Sequence, residues 1–317
     1  MSNENSPFLR APDDACPPAL LEMARSTAPR RIAFVRATGR ATLETARDAL
    51  NHAVAIPVLV GEITQIRADA DAIGWNLDGV ELIAAEGEQG AIDRAIELVA
   101  SGAAVGLLKG QLHSDVFMSA IVRKQAGIRT DRRMLHIFAM LPHGGGKPLF
   151  ISDAAVNVTP SIETRVESAL QMADLARKMG TVRPKVAILS ATESLLPAVP
   201  SSIEADEIAA LAMSRDANAD FAGPLSFDLA LSPESVAVKG IAADSPLFSV
   251  AGQADALVVP DIVSGNVLFK SLAYCAGGLA AGLVVGGSVP ILLTSRADPP
   301  AARLASLALA AIAGRKG

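Results

Sequence analysis

Short apolar runs of strand length alternate with longer stretches of helical period along nearly the whole chain. That alternation is what a parallel sheet covered by helices requires. Arg31 to Val35 is the first run, the segment through Ala53 has helical spacing, and Ile56 to Val60 is the second run. Val80 to Ile83, a helix over Gln89 to Ser101 and a strand over Ala104 to Leu108 repeat the pattern. Leu135 to Leu141 and Pro148 to Ser152 flank the turn-forming Pro142 to Gly146, which predicts a hairpin. A helix over Ser161 to Met179, a strand over Lys185 to Ser190 and a helix over Ile203 to Ser214 follow. Asp255 to Val259 reads as a strand, Gly265 to Ala276 as a helix, Val289 to Leu293 as a last strand and Pro299 to Ile312 as a last helix.

A chain of 317 residues exceeds what one hydrophobic core usually serves, so two lobes are expected. Because the last strand and helix come so late, they are read as returning to the first lobe. That gives residues 1–150 plus 293–317 as one discontinuous α/β lobe and 151–292 as the second. Half the residues are hydrophobic but only 3% aromatic, which suits small-residue helices packed on a sheet and not a base-stacking surface. The most apolar stretch, Ala273 to Leu293, is interrupted by two Gly-Gly pairs and Pro290. It is read as a buried helix followed by a buried strand, not as a membrane span.

Net charge is −5 and Lys and Arg occur only in short runs, so nucleic acid is not an expected partner, whereas a small anion held by local cations is. The first eighteen residues lack the basic and apolar regions of a signal peptide and are read as a floppy lead-in. Cys16 and Cys275 form no disulfide framework and have no metal-binding spacing, which points to a reducing cytoplasm. Cys275 falls inside an apolar helical pattern and is taken as core.

Four segments carry polar chemistry at predicted strand ends, where open α/β sheets bind ligands. In the first, Asp261 follows a buried strand and Ser264-Gly265-Asn266 is read as a turn opening a helix, with Lys270 one turn further on the same face. Helix N-termini favour anions, but an ordinary strand-turn-helix with a snorkelling lysine fits equally well. In the second, Ser295, Arg296 and Asp298 offer a hydroxyl for an oxyanion, a guanidinium fork for phosphate and a carboxylate. Asp298, ahead of Pro299-Pro300, reads better as a helix N-cap. In the third, Lys109 and Gly110 precede His113 and a Ser114/Asp115 cap, so an anion site and a plain helix start leading to Gln125 both fit. In the fourth, Asp153 and Asn157 stand four apart after a strand, near His136 on the neighbouring run, either facing a cleft or forming a turn before Pro160.

Together, in this order, these segments resemble the phosphate acetyltransferase/butyryltransferase family. The residues that carry the likeness are KGQLHSD (109–115), HIFAM (136–140), ISDAAVNVTPSIE (151–163), AGPLSFDLALS (222–232), ADALVVPDIVSGNVLFK (254–270) and VPILLTSRAD (289–298). The resemblance implies two three-layer α/β/α lobes with a cleft between them, as in isocitrate and isopropylmalate dehydrogenases, and a homodimer. It implies acyl-CoA and phosphate as substrates, with no cofactor and no metal. Ser295 and Arg296 match the family's catalytic pair, the serine polarising the thioester carbonyl and the arginine holding phosphate.

Two departures stand out. Where the family's acetyltransferases have an aspartate acting as base toward the CoA thiol, this chain has Ala302, which leaves Asp298 or a substrate phosphate to take the proton. The family arginine after the Lys109 segment has no clear counterpart, since Met118 falls near its place and Arg123 lies beyond. The SRAD form is nearer the butyryltransferases, so acyl length is open. With no histidine linked to Ser295, direct attack by phosphate is expected over a covalent serine intermediate. Two other readings remain: a metal- and NAD-dependent hydroxy-acid dehydrogenase, for which no aspartate cluster is evident, and a CoA-binding homologue without activity.

Overall fold

The computed structural model describes residues 7–294 and 297–314. In chain order it begins with α1 (Pro18–Arg25), β1 (Arg30–Val35), α2 (Arg40–Asn51), β2 (Ala55–Gly61), α3 (Ile63–Ala72), β3 (Glu81–Ala84), α4 (Gly87–Ala100), β4 (Leu107–Lys109) and α5 (Ser114–Ile121). The chain continues through β5 (Leu135–Leu141), β6 (Leu149–Ser152), α6 (Ile162–Lys178), β7 (Lys185–Leu189), α7 (Pro200–Arg215), β8 (Asp220–Leu225), α8 (Phe227–Leu231), α9 (Pro233–Lys239), β9 (Ala256–Val258) and α10 (Ile262–Tyr274). It closes with β10 (Leu279–Val285), β11 (Ile291–Leu292) and α11 (Pro300–Ala313). The mixed α/β class follows the alternation read from the sequence.

Two compact units result, one formed by residues 13–134 and 281–317, the other by 1–12 and 135–280. The chain crosses between them at 12/13, 134/135 and 280/281, where the sequence suggested crossings at 150/151 and 292/293 alone. The crossing at 134/135 has a simple cause: β5 pairs antiparallel with β6, and β6 pairs with β9, so the predicted hairpin belongs to the second unit's sheet.

In the first unit the strand order is β3-β2-β1-β4-β11-β10, parallel except for β10 against β11. Ala33, Phe34 and Val35 of β1 and Val58, Leu59 and Val60 of β2 are wholly buried, as strands covered on both faces must be. Helix α11 is apolar nearly all round, and Ala301 to Ala310 are all buried, which is how such a helix avoids exposing its surface. In the second unit the order is β5-β6-β9-β7-β8, parallel beyond the hairpin. Ser161 caps α6 by accepting from the Thr164 amide.

Two expectations are corrected, and a strand the sequence did not mark is added. Residues 273–293 hold the end of α10 and two strands, β10 and β11, rather than a helix and one strand, because each Gly-Gly pair ends an element. Strand β8 had no periodic signal, since Gly223 and Pro224 interrupt it. Cys275 is not core: it follows the last residue of α10 and is exposed.

Candidate functional site

In the first unit, the Lys109 segment leaves β4 by crossing the end of β1. A Cβ on Gly110 would sit 2.4 Å from the Arg36 carbonyl oxygen and 2.6 Å from that of Val35, so only glycine fits. The Gly110 amide donates to Val35 O at 2.9 Å and that of Gln111 to Arg36 O at 3.0 Å. Lys109 is buried, and its Nζ donates to Leu112 O at 3.1 Å. One of its donors thus meets a carbonyl of its own turn. His113 is the N-cap residue of α5, without a side-chain capping bond, and α5 stops at Ile121, short of the predicted Gln125. The His113 ring is exposed, with Nδ1 2.8 Å from Glu88 Oε1. Burial pushes the Glu88 carboxyl up, but the His113 bonds and Arg36 outweigh it and hold the group below its ordinary range.

The chain after β11 carries the strongest candidates. Ser295 and Arg296 lie outside the described residues. On either side of them, Thr294 Oγ1 donates to Lys109 O at 3.3 Å and the Asp298 carbonyl accepts from Arg303. The cap of α11 is Pro299, so Asp298 stands one residue outside the capping position expected for it. Ala302, at the place of the family's base, is buried.

The second unit brings together the other two segments. Asp153 is buried and its carboxylate accepts five hydrogen bonds: Oδ1 from the amides of Ala155 and Val156, both at 2.9 Å, and Oδ2 from the amides of His136 and Asn157 at 3.2 Å and from Asn157 Nδ2 at 2.7 Å. Asp153 thus shapes the loop after β6, and Asn157 faces it. His136 is buried, with Nδ1 lacking a hydrogen-bond partner. Burial pulls its basicity down to about 4, against the opposing pull of Asp153, so the imidazole is neutral at pH 7.

Helix α10 starts at Ile262, earlier than the sequence indicated, which places Ser264, Gly265 and Asn266 in its first turns rather than in a turn before it. Asp261 is the N-cap: it accepts from the Ser264 amide at 2.8 Å and from Ser264 Oγ at 3.1 Å, while the Gly265 amide donates to Asp261 O. A carboxylate already fills this helix terminus, so it is not the open anion cradle expected of it. Asn266 Nδ2 reaches toward Ala154 O at 3.4 Å. Lys270 is exposed and lies 6.0 Å from the Phe269 ring centroid. Phe269 stacks on Phe138 at 4.0 Å, and Phe138 meets His136 at 4.4 Å.

Nothing in the sequence singled out Arg36 and Glu62, which with Thr38, Thr64, Gln65 and Glu86 line a cavity of about 430 Å³ in the first unit. Their signal was position alone, each following a parallel strand. Arg303 was also missed, although a lone cation inside an apolar helical run marked it.

The family model described as Phosphate acetyl/butaryl transferase matches residues 88–311. The phosphate acetyltransferase of Rickettsia prowazekii is 38% identical over 295 residues, which is 92% of this chain and 82% of that protein. The phosphate butyryltransferase of Clostridium acetobutylicum is 32% identical over 289 residues, 90% of this chain and 94% of the relative. Among solved structures, a branched-chain phosphotransacylase from Enterococcus faecalis is similar with a TM-score of 0.79 at 28% identity, covering 91% of this chain and all of that one.

Proposed function

The chain belongs to the phosphate acetyl/butaryl transferase family, and on that premise we propose that phosphate attacks the acyl-CoA thioester directly, without a covalent enzyme intermediate. The chain is an acyltransferase that moves an acyl group reversibly between coenzyme A and inorganic phosphate. One observation carries the assignment: every candidate residue from Lys109 to Asp298 falls inside the matched span 88–311.

In the release of CoA, Arg296 holds phosphate in its fork and Ser295 donates to the oxyanion, a bond worth on the order of 10²- to 10³-fold in rate. Lys270 adds charge. Lys109 and Asp261, bonded as described, support the loops that bear these groups. With Ala302 at the base position, the thiolate leaves with the help of Asp298 or of phosphate itself. Phosphate attack on a thioester needs only charge and hydrogen bonds, so neither a metal nor a cofactor enters this scheme.

The acyl preference is short, acetyl to butyryl. A dehydrogenase-like fold belongs to the same reading and is supported by the parallel alternation inside each unit. A homodimer is supported by Val263, Val267 and Tyr274, all exposed on α10, and a cytoplasmic location by the absence of any disulfide framework in the sequence. Among the described residues no helix is long and apolar enough to cross a membrane.

The test is thiol release from acetyl-, propionyl- and butyryl-CoA with and without phosphate. Phosphate-dependent release from at least one is expected; release from none sinks the reading. Arg296→Ala should raise the phosphate KM or abolish turnover, and unchanged kinetics would remove Arg296 from the site.

A further inference from the structure

Helix α11 is a helix of small apolar residues with one charge in it. Arg303 is buried, and a guanidinium on such a surface is costly unless its donors are met. Its Nε donates to Thr45 Oγ1 at 2.8 Å, one terminal nitrogen to Asp298 O at 2.5 Å, and the other lies 3.9 Å from Glu44 Oε2. Thr45 is set for this: its hydroxyl donates to Ala41 O at 2.7 Å and so presents a lone pair to Arg303. At the other end of the segment, Thr294 is tied to Lys109 O.

We infer that Arg303 is a positioning residue for acyl transfer, clamping the chain on the C-terminal side of Ser295 and Arg296 onto α2 while Thr294 holds the N-terminal side to β4. This rests on the acyl-transfer reading. Arg303 does not itself hold substrate. The cavity it lines with Thr42, Thr45, Lys109, Gln111 and Thr294 is about 20 Å³, room for one water and not for a phosphate. A fixed anchor matters because displacement of reacting groups by about 1 Å can cost on the order of 10² in rate.

The experiment pairs steady-state kinetics with hydrogen exchange on the full-length protein for Arg303→Met, Arg303→Lys and Leu307→Ala, the last a control that loosens α11 without touching the clamp. Arg303→Met should lower kcat by about tenfold or more, leave the acyl-CoA KM within about twofold, and speed exchange of the 293–298 amides by about tenfold. Arg303→Lys should restore part of both effects, because one ammonium cannot satisfy Thr45 and Asp298 as the fork does. If 293–298 exchanges no faster in Arg303→Met than in Leu307→Ala, or kcat holds, the inference is overturned. Should Arg303→Met fail to fold, Thr45→Val removes the Nε acceptor, together with the hydroxyl's own bond to Ala41 O within α2, and must move both readouts in the same direction. An inactive wild type would defeat the acyl-transfer reading, and with it the catalytic part of this inference, while exchange would still decide whether Arg303 holds the segment.

Discussion

The carbonyl oxygen of Asp153 lies 2.5 Å from the point that a Cβ on Gly265 would occupy. The loop after β6 is thus seated directly on the first turns of α10, and Asn266, the next residue, reaches for Ala154 O from the same side. The Ser-Gly-Asn stretch reads as a docking surface for that loop: Ser264 completes the cap, Gly265 permits the approach and Asn266 bonds across it.

Gly265→Ala should therefore destabilise the protein. A helix interior gains about 1 kcal/mol from this exchange, but forcing the backbone of Asp153 and Ala154 aside costs about 1–3 kcal/mol. The net expectation is a lower urea midpoint with loss of turnover. A midpoint at or above wild type would show that the loop yields freely.

Asp153 is predicted to matter through both oxygens. Asp153→Ala leaves five donors, four of them backbone amides, without their acceptor; the His136 amide is buried and the others are part-buried and can turn to water, so the expected loss is about 1–3 kcal/mol. Asp153→Asn keeps one accepting oxygen and turns an NH₂ toward the remaining amides, so it should fall between wild type and alanine. Chemical denaturation of the three proteins checks the order, and asparagine matching wild type would contradict it.

Strands such as β1, β2 and β5 were legible because a strand buried on both faces has to be a continuous apolar run, and α6 because Ser161 and Gly180 bracket its period. What escaped was set by partners distant in sequence. The division at 134/135 depends on β6 pairing with β9, more than a hundred positions away. The start of α10 depends on Asp261 acting as cap, which looks in sequence like the end of a strand. The candidate site was legible only as residue types at strand ends. The bonds that Lys109 and Asp153 make to their own loops were not, because the carbonyls and amides around them are placed by the fold and not by residue type.

The two thiols should behave in opposite ways. Cys16 is buried, and burial pushes its thiol up to about 12 despite the nearby Arg25, so almost no thiolate exists at pH 8. Cys275 is exposed. A disulfide dye at pH 8 should label about one thiol per chain quickly in the native protein, and the second only on unfolding. Peptide mapping should place the first label on Cys275; early labelling of Cys16 would mean that the start of α1 opens readily.

His136 predicts a pH dependence of stability with a definite sign. Its folded basicity is lowered to about 4 from the ordinary 6.5 because burial disfavours the cation more than Asp153 favours it. Between those values the unfolded chain binds a proton on this ring that the folded chain does not, so unfolding free energy falls as pH drops from 6.5 toward 4 and is at its full value above 6.5. The difference amounts to about 3 kcal/mol at 1.36 kcal/mol for each pH unit. His136→Leu removes the group, so its urea midpoint should fall less than that of wild type between pH 6.5 and 4.5. The comparison separates His136 from carboxylates such as Asp228, held down to about 2 by Lys239 and Ser226, which contribute equally to both proteins. Parallel curves for the two proteins would mean that the ring takes up its proton in the fold as readily as in the open chain.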